Sequence, residues 1–371
     1  MHHTVSNYDI VVFDMEDALV DQGKSLPAAV ARGVDAYLTT LLGVGPEGGP
    51  VFDPDEVRAF TTAQGFESDA DVLQAMLAAV LHSLPVDLRE DDFGSLEGHD
   101  LLQAVRATGR IVETLQTIKA RKNLAEFGRM LRSRGGGKRG FGRVQGLRNR
   151  WLVLAEGHIM MDNFVKRVLA EAYLGEELFH KEHGQPRQFV TADGTIGLEG
   201  SWIDPEDLAS VRKRCPMAAV TRRSQAEAQH VLERIGIGRF IDVVVGRGAM
   251  GMGMGSEDEA GWISTLGVGE TSVADYPTKV TEAIERLRGQ EGIESIIRVA
   301  YVGSCVPDAR GFPTLKERYR LTAIGCAFGQ DKKVLSMQRE KGADFAIAEP
   351  QHLLRVLSER PSPRQQEHPG Y

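Results

Sequence analysis

Two different periods of apolar residues divide the chain. Between residues 22 and 184 apolar positions recur at helical spacing, as in Val72, Leu73, Met76, Leu77, Val80 and Leu81, the stripe of a helix that buries one face. Helices are expected over 26–42, 53–62, 69–84, 101–131 and 151–180. The second opens on Asp53-Pro54 and the third on Ser68-Asp69, both helix-start signals. From residue 188 onward the pattern changes to short apolar runs. Phe189-Val190, Met217-Ala218-Ala219-Val220, Asp242-Val243-Val244-Val245, Arg298-Val299-Ala300-Tyr301-Val302 and Leu321-Thr322-Ala323-Ile324 read as strands, with helices expected at 224–235, 278–288 and 332–341. Strands alternating with helices imply a parallel sheet covered on both faces.

One strand stands apart. Ile10-Val11-Val12-Phe13 is a continuous apolar run at the very start of the chain, and a lone strand is unstable. It must therefore join the later sheet, which makes the helical stretch an insertion. The expected organisation is an α/β core from 1–21 and 185–358, an inserted helical region at 22–184, and a Pro- and Gln-rich disordered tail at 359–371. Two glycine-rich stretches, 134–142 and 246–255, read as loops. The second lacks the Gly-Lys-[Ser/Thr] ending of a Walker loop and the βαβ setting of a dinucleotide fingerprint.

Composition narrows the class. The 371 residues are 42% hydrophobic with a formal net charge of -8, which suits a soluble, cytoplasmic protein and disfavours a general nucleic-acid binder. No apolar run is long enough to span a membrane, and residues 1–7 lack the basic and apolar regions of a signal peptide. Cys215, Cys305 and Cys326 are too few for a disulfide framework and match no zinc spacing, so free thiols are expected.

The candidate chemistry begins where the first strand ends, at Asp14-Met15-Glu16-Asp17. In open α/β sheets, ligands bind at the carboxyl ends of strands, and a carboxylate there can serve as nucleophile or metal ligand. Residues 8–21 resemble motif I of the haloacid dehalogenase (HAD) superfamily, a hydrophobic run followed by D-x-D-G-x-[TV]-x-x-D. Asp14 stands at the nucleophile position, Glu16 replaces the second Asp and Asp17 the Gly. Ala218-Ala219-Val220-Thr221, followed by Arg222-Arg223-Ser224 and a helix, resembles motif II. Lys279 in Tyr276-Pro277-Thr278-Lys279 is similar to the motif III lysine. Residues 300–308 resemble motif IV, G-D-x-x-x-D, with Ser304 at its first acid and Asp308 at its second. The pattern is closest to the phosphoglycolate phosphatase and β-phosphoglucomutase subfamily, with degenerate motifs I and IV.

The resemblance implies an α/β fold, a doubly wound parallel sheet (HAD-like Rossmannoid core) with a large inserted α-helical cap. It also implies roles for single residues. Asp14 would attack phosphorus to give an aspartyl-phosphate, and Glu16 would protonate the leaving oxygen and later deprotonate water. Thr221 and Lys279 would stabilise the equatorial oxygens. Mg²⁺ would be bound by Asp14, by Glu16 through its backbone carbonyl, and by Asp308, weakly because Ser304 replaces an acid. The longer Glu16 side chain shifts the acid outward, and a misplacement of about 1 Å can cost on the order of 100-fold. Two functions are therefore expected: hydrolysis of a small phosphomonoester, or anion or partner binding by a catalytically impaired relative with a regulatory role. A Ser-x-x-x-Asp motif IV also resembles the metal-free dehalogenases, but those carry an aromatic residue at the position of Glu16.

Between Arg106 and Arg150 the chain carries 13 Lys or Arg against two acids, Glu113 and Glu126. In a chain of net charge -8 this is a local reversal of sign. It suits steering of a phosphorylated substrate, a nucleic-acid backbone or an acidic partner, or else a solvated helix with a loose loop.

Overall fold

The computed structural model describes residues 8–44, 49–66, 68–84, 86–111, 120–247, 276–293, 297–303, 312–329 and 332–358. They divide into two compact units. One comprises the described residues within 1–22, 199–254 and 270–371, the other those within 23–198.

The first unit is built on a six-stranded sheet. Its strands are β1 (Ile10–Asp14), β4 (Met217–Ser224), β5 (Val243–Arg247), β6 (Val299–Gly303), β7 (Thr322–Cys326) and β8 (Phe345–Ile347), in the order β5-β4-β1-β6-β7-β8 and parallel at every described pairing. The N-terminal strand is thus central, with Phe13 opposite Ala219 on one side and Val302 on the other. All five residues of β1 are buried, as expected of a strand covered on both faces. Ile10, Val12, Ala218, Val220, Val299 and Tyr301 join one core cluster with Val280, Ala283, Ile284 and Leu287 of the helix Tyr276–Glu291 and with Leu315 and Tyr319 of the helix Phe312–Tyr319.

Directly after β1, residues Met15–Leu19 form one π-helical turn, and Val20–Asp21 (β2) pairs antiparallel with Gly200–Ser201 (β3). The Trp202 N–H, donating to the Leu19 carbonyl at 3.0 Å, extends that link. Neither the turn nor this two-residue pairing, whose strands lie about 180 residues apart, was expected from the sequence. Cys215 and Cys326 are buried; Cys305 lies outside the described residues.

The second unit is helical among its described residues. Its helices are Ser25–Ala36, Pro54–Gln64, Asp69–His82, Gly98–Ala107, Ala120–Arg132, Gly137–Gly142 and Phe164–His183. The Asp53 carboxylate accepts from the N–H groups of Asp55 and Glu56 while Glu56 accepts from the Asp53 N–H, a complete capping box. The Asp69–His82 helix is buried from Val72 to Leu81 apart from Gln74, and so forms the middle of this unit.

Three expectations need correction. Residues 189–190 are not a strand: the N–H groups of Gln188, Phe189 and Val190, which a ladder would use, all donate to the buried Glu171 carboxylate at 2.7–3.1 Å. The glycine-rich stretch 134–142 is not a loose loop, because Gly137–Gly142 is helical. A Cβ at Gly136, Gly137 or Gly140 would lie 2.6–2.7 Å from the backbone oxygens of Gln64, Gly65 and Leu131, so glycine serves close packing there. The helix expected at 151–180 starts only at Phe164, and Gly175 (φ 78°) breaks it. Residues 248–255 and the tail 359–371 lie outside the described residues.

Candidate active site

The carboxyl end of β1 places Asp14 between the ends of β4 and β6. Its backbone faces Val220 across the β1–β4 ladder, so Thr221 begins one residue beyond it. On the other side Gly303 ends β6, and a Cβ there would lie 2.6 Å from the Asp14 Cβ and 2.9 Å from the Tyr301 hydroxyl. Glycine at 303 is therefore what leaves room for the Asp14 side chain. The Tyr301 hydroxyl is 3.4 Å from Asp14 Oδ2, and Asp14 is only 3% exposed.

Glu16, two residues on, lies in the π-helical turn with its carboxylate turned toward β4. The Thr221 hydroxyl donates to Glu16 Oε1 and accepts the Arg223 N–H at 3.0 Å. Arg223 Nε donates to the same Glu16 oxygen at 3.1 Å, and its two terminal nitrogens donate to the two oxygens of Glu199 at 2.9 and 3.1 Å. Glu227 stands 3.6 Å from the same guanidinium. Arg223 is 1% exposed and all three carboxylates are buried. A paired and hydrogen-bonded arrangement is the form in which buried charge is tolerated. The strand end then turns into the helix Gln225–Arg234, whose Glu227 N–H is capped by the Ser224 hydroxyl at 3.0 Å.

Lys279, in the first turn of the helix Tyr276–Glu291, donates through Nζ to the Thr221 carbonyl at 3.0 Å. Asp14, Glu16, Thr221 and Lys279 thus belong to one cluster at the carboxyl edge of the sheet. Ser304 and Asp308 follow directly on β6 but lie outside the described residues. Sequence reasoning missed Arg223, Glu199, Tyr301 and Gly303. Arg223 and Gly303 lie within runs that drew attention for other reasons, whereas nothing in the sequence around Glu199 marks it.

The expected Mg²⁺ site can be tested against the donors present. Mg²⁺ demands a near-octahedral set of oxygens. Of the expected set, Asp14 stands at the strand end and Asp308 lies outside the described residues, while the Glu16 carboxylate, held by Thr221 and Arg223, leaves to Glu16 the expected role of its backbone carbonyl. Among the described residues no group of three or more His, Cys, Asp or Glu is placed to hold a metal ion. The expected set is thus only partly within the described residues, and no step is routed through the metal below.

No protein-family model and no curated protein sequence matches the chain. Solved structures do. The chain is similar to Northeast Structural Genomics Consortium target ZR25, at 14% identity and a TM-score of 0.56 over 94% of this chain and 98% of that one. It also aligns with the phosphatase Tt82 from Thermococcus thioreducens, at 16% identity and a TM-score of 0.44 over 94% and 99%. A putative β-phosphoglucomutase from Thermotoga maritima aligns at 16% identity and 0.38 over 94% and 98%. The first likeness shows a shared fold, and the lower-scoring two add no argument. The α/β unit carries the candidate residues at β4, β1 and β6, neighbours in its parallel sheet. No described helix is long and apolar enough to cross a membrane.

Proposed function

We propose that the protein is a HAD-type hydrolase of a small phosphomonoester, with Asp14 as nucleophile and the helical region after β2 as its inserted cap. The observation that carries this is the placement of the Asp14 carboxylate at the end of the central strand, cleared by Gly303 and one residue in register from Thr221, whose carbonyl accepts from Lys279. An Asp14 oxygen attacks phosphorus and the ester P–O bond breaks. The electron pair leaves with the alcohol oxygen, which takes a proton from Glu16. Water then attacks the aspartyl-phosphate, its proton returns to Glu16, and the bond from phosphorus to Asp14 breaks to release phosphate. The Lys279 ammonium offsets the charge gathered on the phosphoryl oxygens. Neutral Glu16 has no use for Arg223, so turnover requires that ion pair to open, and this reading implies a slow enzyme. Such an enzyme would work in the cytoplasm.

The closed Arg223–Glu16 pair favours a second reading, a catalytically impaired relative that binds an anionic ligand or partner. The two separate in one experiment. Phosphate release from a panel of phosphomonoesters, with and without Mg²⁺, is expected for the wild type and lost in Asp14→Asn. Absence of release from every ester, at enzyme concentrations sufficient for single turnover, would leave the binding function standing.

A further inference from the structure

We propose that the helical unit carries a surface for the phosphate backbone of nucleic acids, formed by Arg129, Arg132, Arg139 and Arg143. Arg129 and Arg132 are three residues apart on the helix Ala120–Arg132 and so share a face. Arg139 lies in the helix Gly137–Gly142 and Arg143 closes it. All four are exposed. Among the described residues none of them forms a salt bridge with a carboxylate, whereas Lys138 beside them pairs with Asp71 at 3.5 Å.

The scaffold beneath is fixed. The turn joining the two helices packs Gly136 and Gly137 against the carbonyls of Gln64 and Gly65, and Gly140 against that of Leu131, too closely for any Cβ. The cations are therefore presented on an ordered backbone, which removes much of the ordering cost of binding. Cations at helix C-termini are favoured by the helix dipole, which accounts for one or two arginines there but not for four uncompensated ones in a chain of net charge -8.

The chemistry of the patch selects its partner. Guanidinium presents a planar fork that matches phosphate oxygens in bidentate fashion. Protein partners are usually gripped by exposed aromatic anchors. Here Phe141 is buried, with the Arg150 guanidinium stacked 4.4 Å over its ring. Among the described residues the exposed large apolar side chains, Leu96, Met161, Leu198 and Met337, all lie outside this stretch, so none of them offers it an anchor for a bilayer. With no aromatic platform for stacking bases, the surface reads phosphates without sequence preference.

The test is a fluorescence-anisotropy titration of the full chain with a labelled duplex of about 20 base pairs over a range of salt. Neutralising four phosphates gives a log–log salt slope of about -3.6. The fourfold variant Arg129→Gln, Arg132→Gln, Arg139→Gln, Arg143→Gln, checked by circular dichroism, is expected to weaken binding at least tenfold. Should that variant fail to fold, the single variants are read instead, each lowering the slope by about 1. Absence of duplex binding at low salt overturns the proposal. So does binding that the variants retain with an unchanged slope, or capture by phosphatidylserine vesicles without binding of the duplex. None of these readings depends on phosphomonoester hydrolysis.

Discussion

Arg223 holds Glu199 in a two-armed grip, 2.9 and 3.1 Å from its carboxylate oxygens, and both side chains are almost wholly buried. The same guanidinium reaches Glu16 across 207 residues of sequence, so it ties the turn after β1 to β4 and to the start of β3. Replacing Arg223 by Met would take the shared cation away from three buried carboxylates, and breaking a buried pair in this way costs about 3–5 kcal/mol. Arg223→Met is expected to lower the denaturant midpoint accordingly. Arg223→Met combined with Glu199→Leu is expected to regain part of the loss, because the pair is then removed as a unit. A double variant no more stable than the single one would show that Glu199 is not the principal partner.

At the nucleophile, Asp14→Asn keeps the shape of the side chain and removes its nucleophilicity. Phosphate release is expected to fall to background while the thermal melt stays close to wild type. Undiminished release would exclude an aspartyl-phosphate on Asp14.

Gly303→Ala tests the space around that carboxylate. The new methyl group would need to sit 2.6 Å from the Asp14 Cβ, and overpacking of this kind costs about 1–3 kcal/mol. Both stability and turnover are expected to drop. A variant that loses stability but keeps its kcat would mean that Asp14 can shift without consequence for chemistry.

The two motif departures can be reversed together. Glu16→Asp shortens the acid out of reach of its present partners, and Ser304→Asp restores a hard oxygen donor. Calorimetry is expected to show tighter Mg²⁺ binding, with turnover rising in parallel. No change in either quantity would mean that Asp308 and Ser304 do not face Asp14.

Stability at acid pH should depend on Asp9. Burial alone would push this carboxyl up, but hydrogen bonds from the Arg298 side chain and N–H, together with its charge, hold it below the ordinary carboxylate range. A lowered folded-state pKa contributes stability that is fully present above the unfolded value of about 3.9 and is lost as pH falls through the folded one. Asp9→Asn is therefore expected to lower stability at neutral pH and to flatten the acid limb of a stability–pH curve. An unaltered acid limb would place the loss elsewhere.

Much of the α/β unit was legible because its signals are local. Ile10-Val11-Val12-Phe13 is apolar throughout since both faces of β1 are covered, and the same holds for Val299-Ala300-Tyr301-Val302. The helix start at Asp53-Pro54 was also plain, since that signal is local. What escaped notice depends on distant partners. The helix Gly137–Gly142 contradicts the ordinary meaning of a glycine run, because those glycines answer to the backbone oxygens of Gln64, Gly65 and Leu131. Glu171 pulls the N–H groups of 188–190 out of any ladder from another helix altogether. Thr221 and Glu16 were each picked out, but their mutual bond spans 205 residues and leaves no periodic trace.

The central place of β1 carries a consequence for synthesis. Its neighbours in the sheet begin at Met217 and Val299, so β1 leaves the ribosome well before either side of its ladder. At about 5–20 residues per second, the roughly two hundred residues up to Met217 alone take on the order of 10–40 s, the time in which the helical region is made. Throughout that interval Ile10 to Phe13 is a bare, uncharged apolar segment with its edges unsatisfied, the kind of sequence that nascent-chain chaperones hold and that aggregates when they do not.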